Sequence, residues 1–453
     1  MLSVNLDEKK LNSGNLTDVF KIALPLILVA SSNSIKLFSD RSMLSHYSNA
    51  QMEAAFTSGI TYFTMLIFFI AVVSYCNVFV SQFYGAKKYS EIGKVIWQGI
   101  FISLFAGIIL GTGYFWSDYL FSFLGRDAEM HRNQVAYVKI LYISSFFPLC
   151  MATLTNFWGG LGKTWLVLLI EGTTVILNVI LNYCLIFGRF GFPECGLLGA
   201  AYATAISTMV GVIVAFIIFL SKSNREQFNT LPDKFFDFQL AKKIFIYGSQ
   251  NGIRAVLDVG AFNVFVILLS FYGPLVGEAS TIVFTVNALS FIPLFGIGNS
   301  VSILVGHGIG SKDIEMSKRV VGSGLKILLI YMSIVLSLLT LCNDIPLSLF
   351  SFDSKELYDM TKLFMYFVAC ELFFNGFSIL YSSAISGAGD TAFPMKITLY
   401  VSWGVFVLPL LIIYFSGVSY MIAWGIFAFH VFPKAVILYL RYRDGVWQKM
   451  SVI

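Results

Sequence analysis

Lys36 and Asp40 stand four residues apart in residues 31–47, SSNSIKLFSDRSMLSHY, inside the first long apolar segment of the chain. On a helix that spacing puts the ammonium and the carboxylate on one face, where they can pair. A charge near the middle of a bilayer costs at least about 2.5–3.5 kcal/mol. A helix carries two only where a cavity or partner helices receive them. Such a pair offers reversible charge: the carboxylate can bind a proton or a cation, and the ammonium can neutralise it or substitute for that cation. This helix therefore reads as lining a water-accessible site, with Asp40 essential and Lys36 tuning it. A static ion pair that only sets helix orientation is the alternative reading.

The elements that must position this pair follow from composition. With 453 residues, 57% apolar, 12% charged and a mean hydropathy of +0.79, the chain is too apolar for a soluble protein and reads as a polytopic membrane protein. A bilayer core needs about 20 apolar residues per helix. That ruler predicts twelve spans near 20–45, 56–82, 94–117, 135–158, 165–188, 197–220, 243–271, 280–305, 320–341, 362–386, 393–415 and 419–440. The six cysteines fall mostly inside apolar runs without repeated spacing, so neither disulfides nor a zinc framework is implied. His46, His131, His307 and His430 show no metal spacing. MLSVNLDEKKLNSGNL at the amino terminus lacks a cleavable signal pattern, so the first apolar helix is expected to direct insertion.

Basic residues alternate between loops. Lys9 and Lys10, Lys87, Lys88 and Lys94, Lys163, the 221–243 interval, Lys312, Lys318 and Arg319, and Arg441, Arg443 and Lys449 all fall on one side. The other side carries Arg126, Arg132, Arg189 and Lys355. The positive-inside rule then places both termini in the cytoplasm. The net charge of +5 is explained by these loops and calls for no nucleic-acid partner. Residues 1–19 read as a cytoplasmic segment, 20–220 as an N-lobe of six helices, 221–242 as a cytoplasmic linker, 243–440 as a C-lobe of six helices and 441–453 as a cytoplasmic tail. Repetition supports the division. VSQFYGAKKYSEIGKVIWQG at 80–99 aligns with VGHGIGSKDIEMSKRVVGSG at 305–324, matching Lys87 to Lys312, and WGGLGKT at 158–164 aligns with ISGAGDT at 385–391. Two lobes related by a pseudo-twofold along the membrane normal are expected. The glycine-rich GHGIGSK and SGAGDT stretches lack P-loop spacing and read as tight turns.

These residues resemble the multidrug and toxic compound extrusion (MATE) transporters almost end to end. The resemblance rests on ALPLIL at 23–28 with FSDRSMLSHY at 38–47, on VSQFYGAKKYSEIGKVIWQG, and on GGLGKT followed by LNVILNYCLIFGRFGFPECGLLGAAYATAIS at 177–207. IPLFGIGNSVSILVGHGIGSKD at 292–313 and SGAGDTAFP at 386–394 extend it through the second half. It implies a twelve-helix antiporter that exchanges inward sodium or protons for organic, often cationic, compounds. It further implies a cation site, sodium in some members, at Asp40, Asn178, Asn182 and Thr204, and a second acidic pair at the positions of Asp258 and Asn375. Asn182 and Asn375 stand where relatives carry Asp, and an amide cannot bind and release a proton.

Other residues enter by spacing. Arg254 precedes Asp258 by four, as Lys36 precedes Asp40, and the pair reads either as facing a cleft or as a salt bridge near a helix end. Glu371 shares a helix face with Asn375 and is expected to take over the acid role. Glu171 shares a face with Asn178 and could supply a carboxylate there or reach Lys163. Pro25 reads as a bend in the first span or as a first-turn proline. The expectation is a monomeric, multi-pass exporter of small organic molecules in the plasma membrane, with no cofactor beyond its coupling ion. A lipid or lipid-linked sugar flippase of the same superfamily is the alternative. No constellation of enzymatic groups is apparent, so an enzyme is not expected.

Overall fold

The computed structural model describes residues 13–123, 127–417 and 419–453. Lys9, Lys10 and Arg126, used above for orientation, lie outside them. The described chain is helical, without strands. Eleven helices are long and apolar enough to cross a membrane, and a bent pair brings the count to twelve. They are α1 (Leu16–Tyr47), α2 (Asn49–Gly85), α3 (Tyr89–Gly111), α4 (Ala128–Ile143 with Phe146–Gly160), α5 (Thr164–Phe187), α6 (Gly196–Phe219), α7 (Phe238–Ser270), α8 (Pro274–Gly310), α9 (Ile314–Thr340), α10 (Lys355–Ala388), α11 (Ala392–Phe415) and α12 (Tyr420–Arg443). Phe38, Phe115 and Phe415 are among many large apolar side chains left exposed, as helices facing lipid require.

Three local features break the regular pattern. The halves of α4 meet at 43°, and Pro148 just beyond the break offers no N–H to the ladder. Pro25 lies inside α1, which begins at Leu16, so it is not a first-turn proline. In α11, residues Leu399–Val407 form a π-helix, the Leu408 N–H reaches back to the Trp403 carbonyl, and Pro409 follows without a donor.

Two compact units divide the described residues, one from 13–27 together with 253–452, the other from 28–252. Each carries the same small devices. Lys87 and Lys312, aligned above, both adopt left-handed backbone, at φ 58° and 60°. Gly162 and Gly389, also aligned, do so at 75° and 116°. The following residues close the turns alike: Lys163 N–H bonds the Trp158 carbonyl at 2.8 Å and Asp390 N–H the Ile385 carbonyl at 3.2 Å. On the short helix Gly113–Ser122, Asp118 pairs with Lys139 of α4 at 2.6 Å; on Asp344–Leu347, Asp344 pairs with Lys362 of α10 at 2.9 Å. The glycine-rich stretches, expected as tight turns, are mostly the last turns of helices: residues 306–310 close α8 and 386–388 close α10, and the chain turns only at Ser311, Lys312 and Gly389.

The polar interval after α6 is packed rather than loose. Its short helix Lys222–Phe228 ends in a fully buried Phe228 that meets Phe157 edge-on. Further along, Trp97 Nε1 donates to the Thr230 carbonyl at 2.9 Å, and Gln98 bonds both the Phe235 carbonyl and the Asp237 N–H at 2.9 Å.

Candidate functional site

In the unit built from residues 28–252, α1, α5 and α6 assemble one polar chain. Asn178 and Asn182 lie one turn apart on α5 and are fully buried. The Asn182 amide nitrogen donates to Asp40 Oδ1, and to Asn178 Oδ1 at 3.2 Å. Asn178 Nδ2 in turn donates to Thr204 Oγ1 at 3.3 Å. The four residues carried over from the family resemblance are therefore in one hydrogen-bonded chain. Asn182 Oδ1 is left buried with no partner among the described residues. An unsatisfied buried oxygen beside a carboxylate is costly unless something donates to it or coordinates it.

The expected ion pair between Lys36 and Asp40 is not formed: among the described residues no salt bridge within 4 Å joins them. The Asp40 carboxylate, 8% exposed, turns toward α5, where the Asn182 amide meets it. Lys36 acts at longer range on Asp40 and Glu171 together. Glu171 thereby joins this group of charges. Arg41, the next residue after Asp40, places its guanidinium over the Phe56 ring at 4.6 Å.

The other unit encloses a cavity of about 410 Å³. Its apolar wall includes Phe262, Phe284, Phe291, Phe406 and Phe427; its ionisable lining is Arg254, Asp258, Glu371, His430 and Lys434. Asp258 Oδ1 accepts from Lys434 Nζ of α12 at 2.7 Å and from Ser402 Oγ of α11 at 3.1 Å. The i,i+4 spacing in α7 suggested a pair with Arg254; the structure supplies a cation from α12. Arg254 donates to Ser382 Oγ of α10. Glu371, 3% exposed, accepts from the Asn375 amide one turn on, so the two share a face as the spacing predicts. Glu371 Oε2 and Asn287 Oδ1, on residues that line this cavity, are buried without a partner among the described residues.

Sequence reasoning passed over Lys434 and Ser402 and weighed His430 only as a metal ligand. Lys434 could have been found by the argument that singled out Lys36, because a lysine within FPKAVIL of the last span carries the same insertion cost. Ser402 and Phe406 both line the cavity from the π-helical stretch, at a four-residue spacing that shares a face in an ordinary helix too, but serine and phenylalanine in an apolar span carry no signal of their own. His430 stacks on Phe406 with centroids 3.9 Å apart, while its Nδ1 donates to the Phe427 carbonyl at 2.7 Å.

Two polar sites built from otherwise apolar spans, one in each unit of a duplicated helical chain, are what a transporter needs. The MatE family model matches the chain twice, over residues 25–184 and 253–413. The chain belongs to the MatE family. The double match also accounts for the paired turns. A probable multidrug resistance protein NorM of Thermotoga maritima is 26% identical over 442 residues, covering 96% of this chain and 94% of its own. Among solved structures, a MOP superfamily transporter from Pyrococcus furiosus, whose binding pocket is described as reversed in polarity, matches with TM-score 0.87 at 16% identity. That match covers 97% of this chain and 98% of the other. The eukaryotic MATE transporter AtDTX14 matches with TM-score 0.85 at 18% identity over 95% and 96%. The MatE chain described here is thus an integral, multi-pass transporter, and its family and named relatives are transporters rather than enzymes.

Proposed function

We propose that this MatE protein is a secondary-active exporter that exchanges sodium or protons for small organic compounds by alternating access. The observation that carries the reading is the state of Asp40. It is a buried carboxylate held by a neutral amide, with no base within salt-bridge distance among the described residues and, on the same bonded chain, an amide oxygen that none of them satisfies. A proton or cation arriving there would neutralise the acid and engage that oxygen. Carboxylate, amide and hydroxyl oxygens from Asp40, Asn178, Asn182 and Thr204 are hard ligands of the kind a hard cation takes. With Asn182 unable to titrate, Asp40 is the member of this set that changes charge. Glu371 is the corresponding acid of the second unit. A bound cation shifts the balance between conformations by its differential affinity and by no more. The loop charges support cytoplasmic termini in a plasma membrane, and the reading takes the protein as a monomer.

Proteoliposomes loaded with substrate and given an inward sodium or pH gradient test this directly. Wild type is expected to release substrate faster with one gradient than without, and Asp40→Asn to lose that acceleration. Gradient-driven efflux undiminished in Asp40→Asn would remove Asp40 from the mechanism. Arg254 and Lys434 on the second cavity favour one other reading, a flippase for lipids with anionic head groups. It predicts transbilayer movement of a labelled anionic lipid with no imposed gradient.

A further inference from the structure

The charge inventory of the second cavity departs from what a receptor for lone cations needs. Two bases, Arg254 and Lys434, face two acids, Asp258 and Glu371. Lys434 is the more enclosed partner of its pair, 11% exposed at the side chain, whereas Asp258 is 42% exposed. Its ammonium, on the cavity lining itself, holds Asp258 from α12, and Ser402 donates to the same oxygen from α11. An organic cation entering this cavity meets a carboxylate that already holds a cation. The remaining acid, Glu371, is buried and accepts a bond from Asn375.

We propose that Lys434 is a resident counter-ion that sets the charge selectivity of this cavity, and that the ligand is a zwitterionic amphiphile with no net charge. With all four groups ionised the cavity sums to zero. A ligand of net charge +1 would add an uncompensated charge in a space walled by phenylalanines, where charge is poorly screened. A zwitterion adds none. Its cationic group would find acceptors in Glu371 Oε2 and Asn287 Oδ1, which are buried without partners among the described residues. Its anionic group would find the Arg254 guanidinium beside Ser382. An aromatic body would lie against the Phe262, Phe284 and Phe291 face, and a cavity of about 410 Å³ is of the size that drug-sized ligands fill. Lys434 is on this account a specificity residue. The inference rests on reading the cavity as the substrate site of the exporter proposed above.

Two xanthene dyes of one ring system test it, one carrying a free benzoate (zwitterionic, net zero) and the other its methyl ester (net +1). Binding to the detergent-solubilised full chain is followed by fluorescence anisotropy, with no gradient present, so the outcome is separate from whether the protein is an antiporter. Wild type should bind the acid at least tenfold more tightly than the ester. Lys434→Gln, which leaves Asp258 uncompensated, should raise ester affinity at least tenfold, whereas Lys434→Arg should keep the wild-type preference. Adding Asp258→Asn to Lys434→Gln should restore the preference for the acid. Equal or tighter ester binding by wild type overturns the proposal, as does an unchanged ratio in Lys434→Gln. Should Lys434→Gln bind neither dye, a Lys434→Arg protein that has lost the preference, or a double variant that prefers the ester, overturns it equally.

Discussion

Gly93 tests whether the interval after α6 is part of the packed structure. It lies in the first turns of α3, where a methyl group would meet the Asn229 carbonyl oxygen and lie 2.7 Å from both the Asn229 carbonyl carbon and the Phe228 oxygen. All three are backbone atoms, so no side chain can rotate away. The linker must shift, and Phe228, with no exposed surface, must shift with it. Overpacking of this kind costs about 1–3 kcal/mol. Gly172 is the matched control: it sits inside α5 with nothing within 4 Å of an added methyl. There alanine only gains helix propensity, up to about 1 kcal/mol. Cys76, Cys150 and Cys184 are buried, so a thiol-reactive fluorophore reports unfolding on heating in detergent. Gly93→Ala should unfold a few degrees below wild type, and Gly172→Ala at or above it. A Gly93→Ala midpoint equal to wild type would show that the linker does not hold this packing in solution.

Lys36→Ala removes a charge that acts on Asp40 and Glu171 without pairing to Asp40, so the sodium or pH dependence of transport should shift while transport persists. An unaltered dependence at full activity would take Lys36 out of the mechanism. Glu371→Gln should abolish or strongly reduce drug resistance in cells expressing the protein, because it replaces the buried acid of the second cavity; resistance equal to wild type would exclude it. Outside the spans, a hydrogen bond from Lys139 holds Asp118 below the ordinary value of 3.8, and bonds from Tyr358 and then Lys362 do the same for Asp344. A depressed carboxylate stabilises the fold above its ordinary value and loses that contribution as pH falls through the folded one. Replacing both by Asn should therefore lower the thermal midpoint slightly near pH 7, the groups being 61% and 70% exposed, and the difference should shrink as pH falls below 3.8.

The spans were legible because apolar length is a strong signal and because buried backbone in lipid must be helical. The duplication was legible from the turns, since a left-handed residue such as Gly162 or Gly389 leaves a trace at its position in the motif. Partners across helices were not. Four-residue spacing shows that Lys36 can reach Asp40; it cannot show that an amide on α5 approaches first. For the same reason Asp258 takes its cation from α12, a residue 176 positions away. The interval after α6 looked like a loop because it is polar, yet its aromatics, Phe228 and Phe235, are the parts that dock. The π-helix of α11 escapes notice because a widened turn keeps the apolar composition of the helix around it.

The central claim is that a cation taken up at membrane depth moves substrate the other way. Coupling of this kind is reciprocal, so an outward gradient of substrate must drive cation entry. The decisive measurement is cation uptake, as radioactive sodium or as a trapped pH dye, into proteoliposomes loaded with substrate and given no ion gradient. Wild type should accumulate one of the two cations in proportion to the substrate released, and Asp40→Asn should accumulate neither. Substrate release at the wild-type rate with no cation entering would contradict the account.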